Sequence, residues 1–395
     1  MPEFLSLFTL RNTSIGRQMD VKLITSMTQA DAGAWNRLIK DDYPFLRHEF
    51  LLALEQSGCT SSQTGWTPQH LLVMQNQKLL AFMPLYLKTH SRGEYVFDQP
   101  WAHAYQQCGC RYYPKWLTAI PFTPCQGPRI VIDESADALT VMRLLTGFIK
   151  ARAEQDAISS WHCLFPDAVQ AERLRDLGLS LRESVQFHWF NKGYRDFDDF
   201  LQTFSAGKRK MIKRERRRVG EQGIALQRLN GKEVSPAQWQ AFFQFYTMTY
   251  LKNGMPPYLN PAFFEQLAAT MGERLLLVLA VKDGQYVGAA LSVIGSDTLY
   301  GRYWGCYEEY SGLHFEACYY QGLEYCIEHG LKRFDSGAQG EHKIARGFEP
   351  ITTWSAHWLQ DVRFAEAVEH FLAEERESVA LYKQDAAAYL PFKKS

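Results

Sequence analysis

The chain has 395 residues, too many for one ordinary core, so two domains of roughly 150–200 residues each are expected. Hydrophobic residues make up 46% and charged residues 22%, the composition of a folded globular protein and not of a disordered one. Lys plus Arg and Asp plus Glu balance at 43 each, which excludes a chain-wide basic field for nucleic acid and leaves electrostatic targeting to local clusters.

The N-terminal run Leu5-Ser6-Leu7-Phe8-Thr9-Leu10 lacks the basic start and long apolar stretch of a signal peptide. Met19 precedes the strand-like Val21-Lys22-Leu23-Ile24, so residues 1–18 read as an upstream extension and 19–190 as a first domain. The eight cysteines follow no regular spacing, which points to a reducing compartment and a cytoplasmic protein. His103, Cys108, Cys110 and Cys125 come nearest to a metal set but contain no CxxC, and no metal is expected. No stretch approaches about twenty apolar residues, so no membrane span is expected.

In the first half, Leu71–Met74, a turn at Asn76-Gln77-Lys78 and an apolar run from Leu79 to Leu87 spell a β-hairpin. A helix is expected over 136–153 and a strand over 158–164. The second half repeats the order: a strand from Leu275, a turn at Asp283-Gly284, a strand to Ile294, a helix over 314–329 and a strand at 332–335. A second helix and a closing strand are expected after each. The closing segments align, Gly178 with Gly347 and His188-Trp189 with His357-Trp358. This β-β-β-α-β-α-β order in each half predicts an α/β fold of two tandem GNAT-type domains, each a mixed sheet flanked by helices. An aspartate-rich link over 191–206 is expected between them, with the second domain over 207–395, its basic helix included. Residues 364–390 read as a C-terminal packing helix.

Ser205 suits an N-cap, and eight of the eleven residues from Lys208 to Arg218 are Lys or Arg, Glu215 being the one acid. Like charges three and four apart repel, so an anionic ligand at Lys208, Arg209, Lys213 and Arg214 is expected to compensate, against the plainer reading of a solvated face.

The densest chemistry lies between Tyr300 and Phe348. Tyr300-Gly301-Arg302-Tyr303-Trp304-Gly305-Cys306 reads as a strand whose glycines permit close backbone approach. His314 with Glu316 and Glu341 with His342 supply two His–carboxylate pairs, the catalytic candidates, because acyl transfer to an amine needs a group that takes the ammonium proton. Arg302, Tyr303, Trp304, Gln339, Lys343 and Arg346 are substrate-binding candidates, with Arg302 serving a substrate carboxylate or pairing with Glu308 or Glu309. A structural role stands beside each, and Cys306 reads as a structural thiol.

Tyr303-Trp304-Gly305-Cys306, His314 through Gln321, Gly337 through Lys343 and Phe204-Ser205 with its basic helix resemble the FemAB-like, GNAT-related bacterial proteins of peptidoglycan biosynthesis or recognition. The resemblance implies a bacterial N-acyltransferase, and the cell wall as its setting. GNAT enzymes hold the CoA pyrophosphate on a glycine-rich loop at a helix N-terminus. The matching place here, Cys306 to His314, carries Glu308 and Glu309, which would repel it. No cofactor is fixed, and the acyl donor is either aminoacyl-tRNA or acyl-CoA. The acceptor is a small-molecule or peptide amine, with tRNA a candidate partner. Two other readings stand: a noncatalytic module recognising an anionic cell-wall precursor or RNA, and an acyl-CoA-dependent acyltransferase or hydrolase.

Overall fold

The computed structural model describes residues 19–338 and 340–393, so the expected extension at 1–18 and the candidate Gln339 lie outside the described residues. The chain forms two compact units. The first holds the residues up to Ser184 together with Thr353–Val379, the second Val185–Thr352 together with Ala380–Ser395.

The first unit carries helices α1 (Ala32–Leu38), α2 (His48–Gln56), α3 (Gln99–Gln107), α4 (Ala138–Gln155) and α5 (Ala168–Asp176). Its strands are β1 (Asp20–Ile24), β2 (Trp66–Pro68), β3 (His70–Gln75), β4 (Lys78–Met83), β5 (Tyr86–Lys88), β6 (Lys115–Thr118), β7 (Val131–Ile132) and β8 (Ser160–Leu164). One sheet has the order β1-β3-β4-β7; in the other, β8, β6, β5 and β2 are successive neighbours. Helix α4 is capped by Asp137, whose side chain accepts from Thr140 N, and buries Val141, Leu145, Phe148 and Ile149 as one stripe. That stripe joins Leu71, Val73, Ala81 and Trp161 in a single core. The turn after β3 has positive φ at Asn76 and Gln77, the backbone that a tight two-residue hairpin requires.

Strand β9 (Ser180–Phe190) begins in the first unit and ends in the second. The second unit continues with α6 (Phe197–Gln202), α7 (Ala206–Glu221), β10 (Ile224–Asn230), α8 (Pro236–Lys252), α9 (Pro261–Met271), β11 (Leu275–Lys282), β12 (Gln285–Ile294) and β13 (Thr298–Cys306). There follow α10 (Leu313–Phe315), α11 (Gln321–Glu328) and β14 (Arg333–Asp335). Its sheet has the order β10-β11-β12-β13-β14-β9. All neighbours in it are antiparallel except β13 and β14. The turn between β11 and β12 again has positive φ at Asp283 and Gly284. Strand β15 (Glu349–Leu359) and helix α12 (Val362–Ala388) complete the chain, each with residues in both units. Among the described residues no helix is long and apolar enough to cross a membrane.

Four local expectations change. Residues 191–206 are not a link: they carry α6 and bury Phe200, Leu201 and Phe204 in the core of the second unit, because those rings alternate with the aspartates at helical spacing. The closing strands are exchanged in chain order. The end of β9 pairs with β14, Asp335 facing His188, and the end of β15 pairs with β8, His357 facing His162. After β14 the expected second helix is a six-residue 3-10 turn, Glu341–Arg346, bracketed by Gly340 and Gly347 at positive φ. The helix expected over 314–329 is interrupted by a π turn, Glu316–Tyr320, between α10 and α11; such turns recur at functional sites.

Candidate active site

Strands β13 and β14 run parallel and pair only over Thr298–Tyr300 against Arg333–Asp335. Beyond that point β13 continues to Cys306 paired with β12, without β14 on its other edge. In its pairing with β12, β13 skips Arg302, a bulge that re-aims this side chain. Strand alternation then separates its neighbours. Tyr303 stacks edge-on against Tyr246 and Phe264, while the Trp304 ring lies 5.6 Å from that of His314.

His314 lies in α10, the first helical turn after the loop that follows β13. Its ring is 5.8 Å from the His342 ring, centre to centre, and lies against Trp304 and Tyr319. His342 Nε2 is 2.8 Å from the Tyr319 hydroxyl. Burial, with His342, Arg346 and Lys343 nearby, lowers His314 to about 4. Burial followed by the Arg346 and Lys343 charges lowers exposed His342 as well. Both rings are therefore neutral at neutral pH, and His342 is open to solvent.

The two expected His–carboxylate pairs are replaced by other pairings. Buried Glu316 takes a two-pronged pair from Arg216 (Nε to Oε2 3.0 Å, Nη2 to Oε1 2.9 Å) and a third bond from Gln321 Nε2. A buried carboxylate needs a cation, which a neutral histidine does not supply. Glu341 is exposed and accepts from the Tyr382 hydroxyl at 2.8 Å.

Lys343 and Arg346, expected to contact substrate, are buried and spend their charges within the unit. Lys343 Nζ donates to Gly337 O at 2.6 Å. Arg346 Nη1 donates to His342 O at 2.6 Å, its Nη2 to both Glu215 oxygens at 2.8 and 2.9 Å, and its guanidinium lies 3.4 Å from the centre of the Phe315 ring. Arg302 contributes charge near Asp335. Burial alone would raise the Asp335 carboxyl, but His188, the Gly337 amide, Arg302 and Lys343 bring it below its ordinary value.

The basic helix α7 thus answers part of its own repulsion. Arg216 also pairs with Glu324, Lys213 with Asp198 at 2.8 Å, and Arg217 with Glu221. Arg209 bonds to Gln202. Lys208 and Arg214 have no carboxylate partner among the described residues. Ile212 and Val219 anchor the inner face. Outward lie Lys210, Lys213, Arg214, Arg217 and Arg218, at the spacing of one helical stripe.

Sequence reasoning missed Glu215, Arg216, Tyr319, Tyr320, His188 and Asp335 as parts of this site. Glu215, the single acid in the basic run, was the available signal: a lone opposite charge there marks the inward face. Glu316, the partner of Arg216, and His188, the histidine beside Asp335, are each a hundred or more residues away, and no local pattern carries them.

The fold is similar to that of the C-terminal domain of a putative lysylphosphatidylglycerol synthetase from Agrobacterium fabrum, with a TM-score of 0.54, 10% identity, and 87% of this chain and 95% of that chain covered. FemX matches with a TM-score of 0.49 at 12% identity over 80% of this chain and 93% of that one. A tandem GNAT protein from the clavulanic acid biosynthesis pathway matches with a TM-score of 0.48 at 10% identity over 87% and 99%. The architecture is thus a mixed α/β fold like that of the synthetase domain. No curated protein matches the sequence. The FemAB-like family model, described as peptidoglycan biosynthesis/recognition, matches residues 26–394, and the chain belongs to that family.

Proposed function

We propose that the protein is an N-acyltransferase that moves an acyl or aminoacyl group onto an amine beside His342 in the second unit. The observation that carries this reading is exposed, neutral His342, hydrogen-bonded to Tyr319 and facing His314, which lies against Trp304 of β13. The amine nitrogen attacks the activated carbonyl carbon, a C–N bond forms, and the ester oxygen or thioester sulfur leaves. The ammonium proton goes to His342, directly or through the Tyr319 hydroxyl.

Glu308 and Glu309 are both exposed in the loop before α10, which favours an aminoacyl ester as donor over a CoA pyrophosphate. Membership in the FemAB-like family makes amines of cell-wall precursors the first acceptors to try. The exposed cations of α7 support a second reading, recognition of an anionic partner without turnover.

Purified protein is assayed with charged tRNA and with acetyl-CoA as donors, over a salt series, beside His342→Ala. Transfer that His342→Ala reduces by about a hundredfold or more, with binding retained, supports the enzyme. Full activity in His342→Ala removes the proposed base, and binding without transfer from either donor favours the recognition module.

A further inference from the structure

Three buried ionic side chains in the second unit converge on one short stretch of backbone. Asp335 ends β14 and is 1% exposed; its Oδ1 accepts from Gly337 N at 2.9 Å. Lys343, also 1% exposed, donates from Nζ to Gly337 O at 2.6 Å. The Gly337 residue is therefore gripped at its amide by an anion and at its carbonyl by a cation. Further along the same loop, Arg346 fixes the carbonyl of His342. Gly340 lets the loop fold back on itself, for a Cβ there would lie 2.3 Å from the His342 ring. His188 stands behind Asp335 across the sheet, Nε2 to Oδ1 3.5 Å.

A surface turn that needs a carboxylate to bind an amide two residues on has no need to bury it beside a histidine and two cations. The first unit offers the contrast. There His357 of β15 faces β8 just as His188 of β9 faces β14, but the residue opposite is a second histidine, His162, at 2.7 Å between Nδ1 atoms. The strand pairing is common to both units, whereas the acid opposite the histidine is found in the unit that holds the His314–His342 pair.

Building on the transferase reading above, we propose that Asp335 and Lys343 are positioning residues, a buried ion couple that holds the Gly337 peptide and so fixes His342 against Tyr319. Neither reaches substrate. Each acts through the loop, with His188 orienting the carboxylate.

The test uses two variants of the full chain that each keep a hydrogen-bonding group. Asp335→Asn retains an oxygen for Gly337 N but loses the negative charge. Lys343→Gln retains an N–H for Gly337 O but loses the positive one. His342 is followed by NMR titration, with Tyr319, His314, Phe315, Arg346 and Lys343 as the groups around it. The couple predicts opposite displacements of its midpoint: downward in Asp335→Asn, which leaves Lys343 unbalanced, and upward in Lys343→Gln. Simple loosening of the loop would move both upward, toward the value of a solvated histidine, and would overturn the proposal, as would no movement in either.

With a working donor and acceptor, Asp335→Asn should lower kcat by about tenfold to a hundredfold with KM unchanged; unchanged kcat overturns the positioning role. If the wild-type protein transfers nothing, the transferase reading fails, while the titration still decides the couple. Should Asp335→Asn not fold, Asp335→Ser, which also removes the negative charge while keeping an oxygen for Gly337 N, takes its place, and a His342 midpoint that does not fall there counts against the proposal.

Discussion

At the scale of single residues, the site is held by crossed ion pairs. Neighbouring Glu215 and Arg216 on α7 reach in opposite electrical senses, Glu215 to Arg346 and Arg216 to Glu316. A charge is expensive to bury alone, so removing one member of such a pair costs more than the pair contributes. Arg216→Met leaves the Glu316 carboxylate, which is 4% exposed, without its cation. We expect a loss of about 3 kcal/mol in urea unfolding, the low end for a buried pair because Arg216 is itself partly solvated. Adding Glu316→Met should restore most of that loss, because two apolar side chains of similar size need no partner. A double variant as unstable as the single one would show that packing of the Arg216 stem, not charge, is what matters. The sequence showed the charges but not their partners: a run of eight cations looks uniform until the fold turns Arg216 inward.

At the scale of elements, local signals carried the architecture. Asp283-Gly284 names its own turn, and the stripe of α4 names its own buried face. The glycines of β13 were legible as points of close approach, and Gly305 is one: a Cβ there would sit 2.0 Å from the Phe245 carbonyl oxygen on α8. Backbone cannot yield as a side chain can, so Gly305→Ala should force α8 off the sheet and cost about 3 kcal/mol or more. Gly147, exposed in the middle of α4 with nothing within 4 Å of its would-be Cβ, is the control. There alanine should stabilise by about 0.5–1 kcal/mol through helix propensity alone. Thermal melts of the two variants decide it, and a mild effect at Gly305 would mean that α8 is not seated on β13 as described. What local pattern could not reveal was the exchange of closing strands or the use of 191–206 as core. Both depend on which distant strand completes a sheet, and sequence periodicity is the same either way.

At the scale of the whole molecule, the two halves share a buried polar centre at the same place in each sheet. The first unit adds to it a chain of ionisable groups that sequence reading did not single out. His162 lies near Tyr112, Tyr112 donates to Asp98 at 2.6 Å, and Asp98 and Glu94 both pair with Lys115. Burial, followed by charge effects, lowers His162 to about 3 and His188 to about 4, and drives His357 well below its ordinary value. In the unfolded chain these histidines titrate near 6.5. Their depressed folded values mean that acid favours unfolding. The stability they confer is complete above about pH 6.5 and is lost as pH falls toward their folded values. For His188 alone this is on the order of 3 kcal/mol. Glu94 opposes the trend, because burial raises its carboxyl to about 7, so its protonation on acidification favours the folded state. Lys88, lowered to about 7 by burial, is already protonated on both sides of the window and adds no slope below that pH. Three histidines outweigh one carboxylate, and Tm should fall between pH 6.5 and 4.5. Glu94→Gln, which removes the opposing group, should steepen that fall. A Tm that holds level or rises over this range in the wild type would mean that the buried histidines accept protons without unfolding, and the neutral pairing of His162 with His357 would have to be abandoned.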